Sequence, residues 1–312
     1  MNHFHKPLYI SNGINNEIEG LKQALSLARY NASTLNILII CPDIPKELQN
    51  YFEQYATALK NQLTQTVRAT CELLNIIPEN LPVHITLSNH AKPVVEVVHH
   101  VLRHNYDLVI KEAESGGNSQ GFKALDMSLL RKCPCPVWLC RPIAHHCEAV
   151  RVGVAIDPEN SAPESIDLAI RLLQISRTIA DSSNKELHII SCWDYEFEGY
   201  LRKNMWFEIP DAQLQETVNS VRSEHEEALK HLIHISKIGG NIRIHHIRGR
   251  ADQVIPEYVK EQNINILVMG TLARTGIPGF IIGNTSENVV QKLTCSLVAM
   301  KPSGFVSPIK AY

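Results

Sequence analysis

A glycine-rich segment between an apolar run and a helix-like stretch is the strongest candidate for chemistry in this chain. It reads Gly270-Thr-Leu-Ala-Arg-Thr-Gly-Ile-Pro-Gly-Phe-Ile-Ile-Gly-Asn-Thr-Ser-Glu287. Glycine allows backbone amides to approach a bulky anion closely, and the amino end of a helix offers unpaired N–H groups and a positive dipole. Arg274 adds a fixed positive charge. The segment therefore predicts a phosphate-binding loop.

The same segment is also compatible with a surface loop whose helix is capped by Asn284 or Thr285, with Arg274 in solvent. It lacks the Gly-Lys-Ser/Thr ending of a P-loop and does not match the G-x-G-x-x-G fingerprint of dinucleotide sites. Local sequence leaves both interpretations open.

Other chemistries have weaker support. No nucleophile elbow and no Cys-His or Ser-His-Asp signature is recognisable, so no catalytic residue is predicted. A zinc site built from His145, His146 and nearby cysteines would need four converging ligands. Cys135 and Cys140 are an odd number of positions apart on one predicted strand, so their side chains would point to opposite faces of the sheet. No metal site is predicted.

The elements that position the glycine-rich loop belong to an internal repeat. Cys135-Pro-Val-Trp-Leu-Cys-Arg-Pro142 matches Cys295-Ser-Leu-Val-Ala-Met-Lys-Pro302 at an offset of 160 residues. The first half opens on an apolar run ending at Asn12, and the second on a similar run ending at Asp157. We therefore predict two domains, at residues 1–146 and 147–312.

Each half alternates strand-like and helix-like segments. In the second half strands are predicted near 151–157, 186–193, 241–247, 264–269 and 295–301, with helical periodicity between them. Continuous apolar strands joined by helices predict an α/β fold in which each half is a five-stranded parallel sheet with helices on both faces. Ligands of such sheets bind beyond the carboxyl ends of the strands, where the strand order reverses, so Asp157 and Gly270 mark the expected site.

Composition excludes several classes of protein. The 312 residues are 44% hydrophobic and 20% charged, with a formal net charge of -2, which does not favour a nucleic-acid binder. No apolar run approaches the roughly 18 to 20 residues that cross a bilayer, and the first residues lack the apolar core of a signal peptide. Eight cysteines without regular spacing indicate reduced thiols. We expect a cytoplasmic protein with no membrane span.

At the glycine-rich loop the sequence resembles the universal stress protein family, and in particular its tandem-domain branch. Nucleotide-binding members carry Gly-x2-Gly-x9-Gly-Ser/Thr after strand four and an Asp that closes strand one. Gly270 and Gly283 fall in register with the first and third glycines, and Asp157 closes strand one. Ala273 stands in place of the second glycine, and Asn284, followed by Thr285, stands in place of the hydroxyl residue.

The resemblance implies a Rossmann-like, adenine nucleotide alpha hydrolase-like fold with strand order 3-2-1-4-5. It also implies a cofactor, ATP or another nucleotide with Mg²⁺, in the second half. Asp157 would lie at the adenine-ribose end, Cys192 would line the base pocket, and the loop would hold the phosphates. The expected ligand-binding residues of that loop are Gly270, Thr271, Ala273, Arg274, Gly283, Asn284 and Thr285.

The first half is expected to lack this site. Aligning the fifth strands places Lys111 opposite Gly270 and Lys123 opposite Gly283, while Asn12 replaces Asp157. We expect the first domain to be degenerate, without a phosphate loop, and the second domain to carry the only ligand pocket.

The resemblance implies a stress-response role and a pairing of the two domains through strand five as a pseudo-dimer, with further self-association an open question. Three functions stay open: a nucleotide-binding sensor, a slow ATPase at the same pocket, and a nucleotide-free scaffold that acts through protein contacts. In the third case, the alanine at position 273 would reflect the loss of nucleotide binding.

Overall fold

A computed structural model describes residues 4–13, 17–41, 45–114, 120–143, 150–183, 186–203, 209–271 and 282–310. All ten strands of these residues form one sheet, in the order β3-β2-β1-β4-β5-β10-β9-β6-β7-β8. The predicted boundary between residues 146 and 147 lies outside the described residues.

The first half contributes five strands and four α-helices. They are, in chain order, β1 (Pro7–Ser11), α1 (Ile18–Asn31), β2 (Leu35–Cys41), α2 (Phe52–Leu73), β3 (Val83–Asn89), α3 (Pro93–His104), β4 (Leu108–Glu112), α4 (Ala124–Lys132) and β5 (Val137–Cys140). Short 3₁₀ turns at Lys46–Tyr51 and Pro78–Asn80 flank α2.

The second half repeats the alternation, with one additional short helix, α6. Its elements are β6 (Val152–Ala155), α5 (Pro163–Asp181), β7 (Glu186–Trp193), α6 (Phe197–Lys203), α7 (Asp211–Ser236), β8 (Asn241–Arg248), α8 (Ala251–Glu261), β9 (Ile266–Gly270), α9 (Asn284–Lys292) and β10 (Ser296–Met300). The five strands predicted here from apolar runs are all present, with ends that differ by at most two residues.

Within each half the strands are parallel and follow the order 3-2-1-4-5, which confirms the predicted α/β class. The halves meet where β5 and β10 pair antiparallel, with Trp138 opposite Val298. Strand five is thus the last strand of each half and an interior strand of the whole sheet.

Burial on both faces of the sheet explains why its strands are continuously apolar. One core cluster packs α1, α2, α5 and α7 against one face, and a second packs α3, α4, α8 and α9 against the other. In α1, for example, Leu21, Ala24, Leu25 and Ala28 recur at helical spacing and are all buried.

Polar contacts add to the strand pairing between the halves. Arg131 on α4 forms an ion pair of 2.6 Å with Glu287 on α9, and the Lys301 ammonium donates to the carbonyl oxygen of Cys133 at 2.6 Å. Gly121 has φ +71, and a Cβ there would stand 2.7 Å from the Gln291 carbonyl oxygen, so only glycine fits this contact. The segment after β10 therefore packs on the first half.

Candidate functional site

The site predicted in the second half lies where β6 and β9 end side by side. The two strands are parallel neighbours, with Val154 opposite Val268. Asp157 follows the end of β6 by two residues and is exposed, and Gly270 is the last residue of β9. Because the strand order reverses between β6 and β9, this edge is the position at which open parallel sheets bind ligands.

Helix α9 begins at the same edge. Its N-cap is Gly283, whose amide donates to the Thr271 carbonyl oxygen at 3.1 Å. Asn284 and Thr285, the first two residues of the helix, are exposed. The first amides of a helix have no intrahelical acceptor, so this end can receive an anionic oxygen.

Hydrogen bonds fix the end of β9 to α9 and β10. The Ser286 hydroxyl donates to the Gly270 carbonyl oxygen at 3.1 Å. Thr271 is buried, and its amide and hydroxyl both donate to the Met300 carbonyl oxygen, at 3.0 and 3.2 Å. The Thr271 side chain therefore ties the end of β9 to β10.

Asp157 and Cys192 act on each other electrostatically, as expected for residues at the ends of neighbouring strands. Burial and, to a smaller extent, the Asp157 carboxylate together raise the pKa of the Cys192 thiol to about 11. Cys192 is thus a neutral, half-buried thiol, suited to line a pocket and not to act as a nucleophile. Burial also lowers the pKa of His225, which keeps this imidazole near Asp157 neutral.

The remaining predicted ligand residues, Ala273 and Arg274, lie outside the described residues, within 272–281. Six of the others, Asp157, Cys192, Gly270, Gly283, Asn284 and Thr285, are placed at the carboxyl edge of β6, β7 and β9 or at the start of α9.

Comparison with protein-family models identifies the kind of protein that carries this candidate site. The model of the universal stress protein family matches residues 150–301, which include β6 to β10 and the whole candidate site. The match places this chain in the universal stress protein family.

Similarity to tandem universal stress proteins extends over both halves. The chain is 28% identical to universal stress protein E of Photorhabdus laumondii over 298 residues, 93% of each protein. It is 29% identical to a universal stress protein E homologue of Haemophilus influenzae, over 82% of this chain and 78% of that one. In fold it resembles PA1789 of Pseudomonas aeruginosa, a protein of unknown function, with a TM-score of 0.70, 22% identity, and coverage of 97% of this chain and 95% of that one.

Strand register corrects the predicted alignment of the two halves. Ile110 lies opposite Trp138 on β5, and Val268 lies opposite Val298 on β10. Because Trp138 and Val298 face each other across the pseudo-symmetric strand pair, Glu112 is the counterpart of Gly270, and the prediction that Lys111 holds this position is wrong. The loop after β9 is two residues longer than the loop after β4, so the offset between the halves is 160 at the fifth strands and 158 at the fourth.

The first half also contains a cavity, which the sequence did not lead us to expect. A cavity of about 410 Å³ opens in the first half, at the carboxyl ends of β1 and β4. Its apolar wall comes from Ile10, Ile40, Val94, Val97, Leu125 and Leu129, and its polar lining includes Glu17, Lys111, Glu112 and Glu114. The cavity thus lies at the same edge of the first half as the candidate site of the second, with carboxylates in its lining.

Sequence reasoning did not identify Glu17 and Glu112 as site residues. The pKa of both carboxyls is raised, mainly by burial. Aligning Leu108-Val-Ile-Lys-Glu112 directly with Ile266-Leu-Val-Met-Gly270 would have placed Glu112 opposite Gly270. For Glu17 the sequence offers no comparable signal, since its burial depends on tertiary packing.

Cysteine and histidine residues form no recognisable metal centre among the described residues. Cys140 packs in one core cluster and Cys135 against the other, so they face apart as predicted. The sulfur atoms of Cys133 and Cys135 are 3.6 Å apart, and both residues are free thiols.

Among the helices that the structure describes, none is long and apolar enough to cross a bilayer.

Proposed function

We propose that this universal stress protein binds ATP or a related phosphorylated nucleotide in its second half, and that binding modulates its contacts with other proteins during stress. Membership of the family supports the stress-response role. The observation that carries the ligand proposal is the convergence of Asp157, the end of β9 and the amino end of α9 on one edge.

Each part of this edge fits one part of a nucleotide. A carboxylate beyond strand one can accept hydrogen bonds from ribose hydroxyls. The amides that follow Gly283, at the start of α9, can receive phosphate oxygens. The neutral thiol of Cys192, on the adjacent strand β7, can form part of a wall against the base.

The proposal includes the arrangement of the chain as two domains, 1–146 and 147–312, paired as a pseudo-dimer in the cytoplasm. Antiparallel pairing of β5 with β10 supports that arrangement, because it buries the last strand of each half inside a continuous sheet.

Calorimetric titration of the full chain with ATP and Mg²⁺ tests the ligand proposal, with cAMP, the ligand of another crystallised universal stress protein, as a second probe. Gly283→Asp places a carboxylate where phosphate is expected and should weaken ATP binding at least about tenfold through like-charge repulsion. Asp is a favoured N-cap residue, and Gly283 has an ordinary φ of −59, so α9 should persist.

Gly239→Asp is the matched control. Gly239 is exposed, and a Cβ there meets no atom within 4 Å, so the same substitution should leave ATP binding unchanged. Absence of heat at millimolar ATP and cAMP, or equal binding by the two variants, would contradict the proposal and favour the scaffold.

A further inference from the structure

The cavity of the first half contains a buried carboxylate oxygen that needs a partner. Glu17 lines this cavity and is only 9% exposed. Its oxygen Oε1 accepts from the Asn12 amide at 3.2 Å, and the Ser11 hydroxyl also hydrogen-bonds the Glu17 carboxyl, which partly offsets the rise in its pKa that burial causes. The other, Oε2, is buried and has no hydrogen-bond partner among the residues that the structure describes. A buried acceptor without a donor is costly, so this oxygen marks a place for a donor from outside the chain.

The nearest ammonium group in the lining already has its own counter-ion. Lys111 Nζ lies 2.9 Å from Oδ1 of Asp126, which is fully buried, and donates to the Glu112 carbonyl oxygen at 2.8 Å. Asp126 also accepts from the Glu114 amide at 3.0 Å, which fixes the pair. Lys111 is therefore held against the strand end with Asp126 as its ion-pair partner. Its charge also acts on Glu17 and Glu112, where it partly offsets the rise that burial causes in the pKa of each carboxyl.

The charges that remain are predominantly negative. Glu17, Glu112 and Glu114 all line the cavity, and Lys123 stands at its exposed rim. The Glu112 carboxylate accepts from the Gly20 amide at 2.8 Å. This close approach requires glycine, since a Cβ on residue 20 would lie 3.0 Å from the Glu112 Cβ and 2.7 Å from the Tyr9 hydroxyl. The fold thus holds a second carboxylate beside Glu17 at the position where the other half has Gly270.

We propose that this first-half cavity binds a small organic ammonium ion with an apolar body, and that the Glu17 carboxylate is the counter-ion of the ligand. The apolar wall receives the body, and the carboxylates receive the charged end. A volume of about 410 Å³ lies in the range typical of small-molecule pockets. Phosphate is disfavoured, because the carboxylates would repel it and Lys111 is already paired.

Three matched probes separate charge from shape: 2-phenylethylamine, 2-phenylethanol and phenylacetate. They share a ring and differ in a cationic, neutral or anionic end. Titrations of the full chain are followed through the methyl resonances of Val94, Val97 and Leu125, which line the cavity. The amine should shift these signals saturably, the alcohol should bind at least tenfold more weakly, and phenylacetate should leave them unmoved.

Glu17→Gln should weaken amine binding at least tenfold, since it keeps the shape and removes the charge. Glu72→Gln, on the exposed face of α2, is the control and should have no effect. Val94→Phe fills the cavity from α3 without touching a carboxylate and should also abolish binding, so the test remains decisive if Glu17→Gln does not fold. Equal binding of amine and alcohol, amine binding unchanged by Glu17→Gln or Val94→Phe, or binding of phenylacetate or ATP at these methyls would overturn the proposal.

Discussion

At the scale of single residues, the buried ion pair between Lys111 and Asp126 is expected to contribute strongly to stability. The two groups are 2.9 Å apart, with the Asp126 side chain fully buried and the Lys111 side chain 11% exposed. Asp126→Asn would leave a buried ammonium without its counter-ion, so we expect the free energy of unfolding to fall by about 3–5 kcal/mol. Urea unfolding measures this loss.

Glu226→Gln provides the comparison for Asp126→Asn. Glu226 pairs with Lys230 on the exposed surface of α7, where ion pairs contribute little because water screens them. Its removal should leave the urea midpoint of unfolding equal, within experimental error, to that of the unaltered chain. Equal effects of the two variants would show that Asp126 has no special role.

At the scale of elements, two histidine pairs lie on opposite faces of the β7–β8 pair; His188 and His225 are buried, and His245 and His246 are half-buried. His188 Nδ1 lies 3.1 Å from His245 Nε2, and His225 Nδ1 on α7 lies 2.9 Å from His246 Nε2. Burial lowers the pKa of all four imidazoles. The unfolded chain, with histidine pKa values near 6.5, therefore takes up protons that the native state resists.

The stabilisation associated with these histidines is fully present above pH about 6.5 and is lost as pH falls below it. Urea unfolding at pH 7.5 and pH 5.5 should show a lower stability at the acidic value. The double variant His188→Gln, His225→Gln should reduce this difference, whereas His231→Gln, on the exposed face of α7, should not. A stability that does not change between the two pH values would contradict this prediction.

At the scale of the whole molecule, the β5–β10 pair joins the two halves in one sheet, so we expect them to unfold as one cooperative unit. Trp138 lies at the centre of this pair and is 2% exposed. Trp138→Ala should lower the free energy of unfolding by about 3–5 kcal/mol. Phe197→Ala, at a site 64% exposed, should change it little. Calorimetry of the unaltered chain should show one unfolding transition, and two separate transitions would indicate independent halves.

Much of this architecture could be predicted because buried parallel strands are encoded by continuous apolar runs that are easy to recognise in the sequence. Ile266-Leu-Val-Met-Gly270 is apolar up to the residue at which the site begins, and Asp157 follows an equally clear strand. The first-half cavity could not be predicted, since a cavity is a gap between elements and depends on how α3 and α4 pack against β1 and β4. The position of Glu112 was missed because the predicted alignment did not allow correctly for the two-residue difference in loop length.

The two proposed ligand sites thus lie at equivalent edges of the two halves and differ in the charge they present there. The most direct test is the number of ATP molecules bound per full chain with Mg²⁺, measured by calorimetry on the unaltered protein, Gly283→Asp and Glu17→Gln. The account predicts one ATP per chain, weakened by Gly283→Asp and retained in Glu17→Gln. Two ATP molecules per chain, or one that depends on Glu17 and is insensitive to Gly283→Asp, would contradict it.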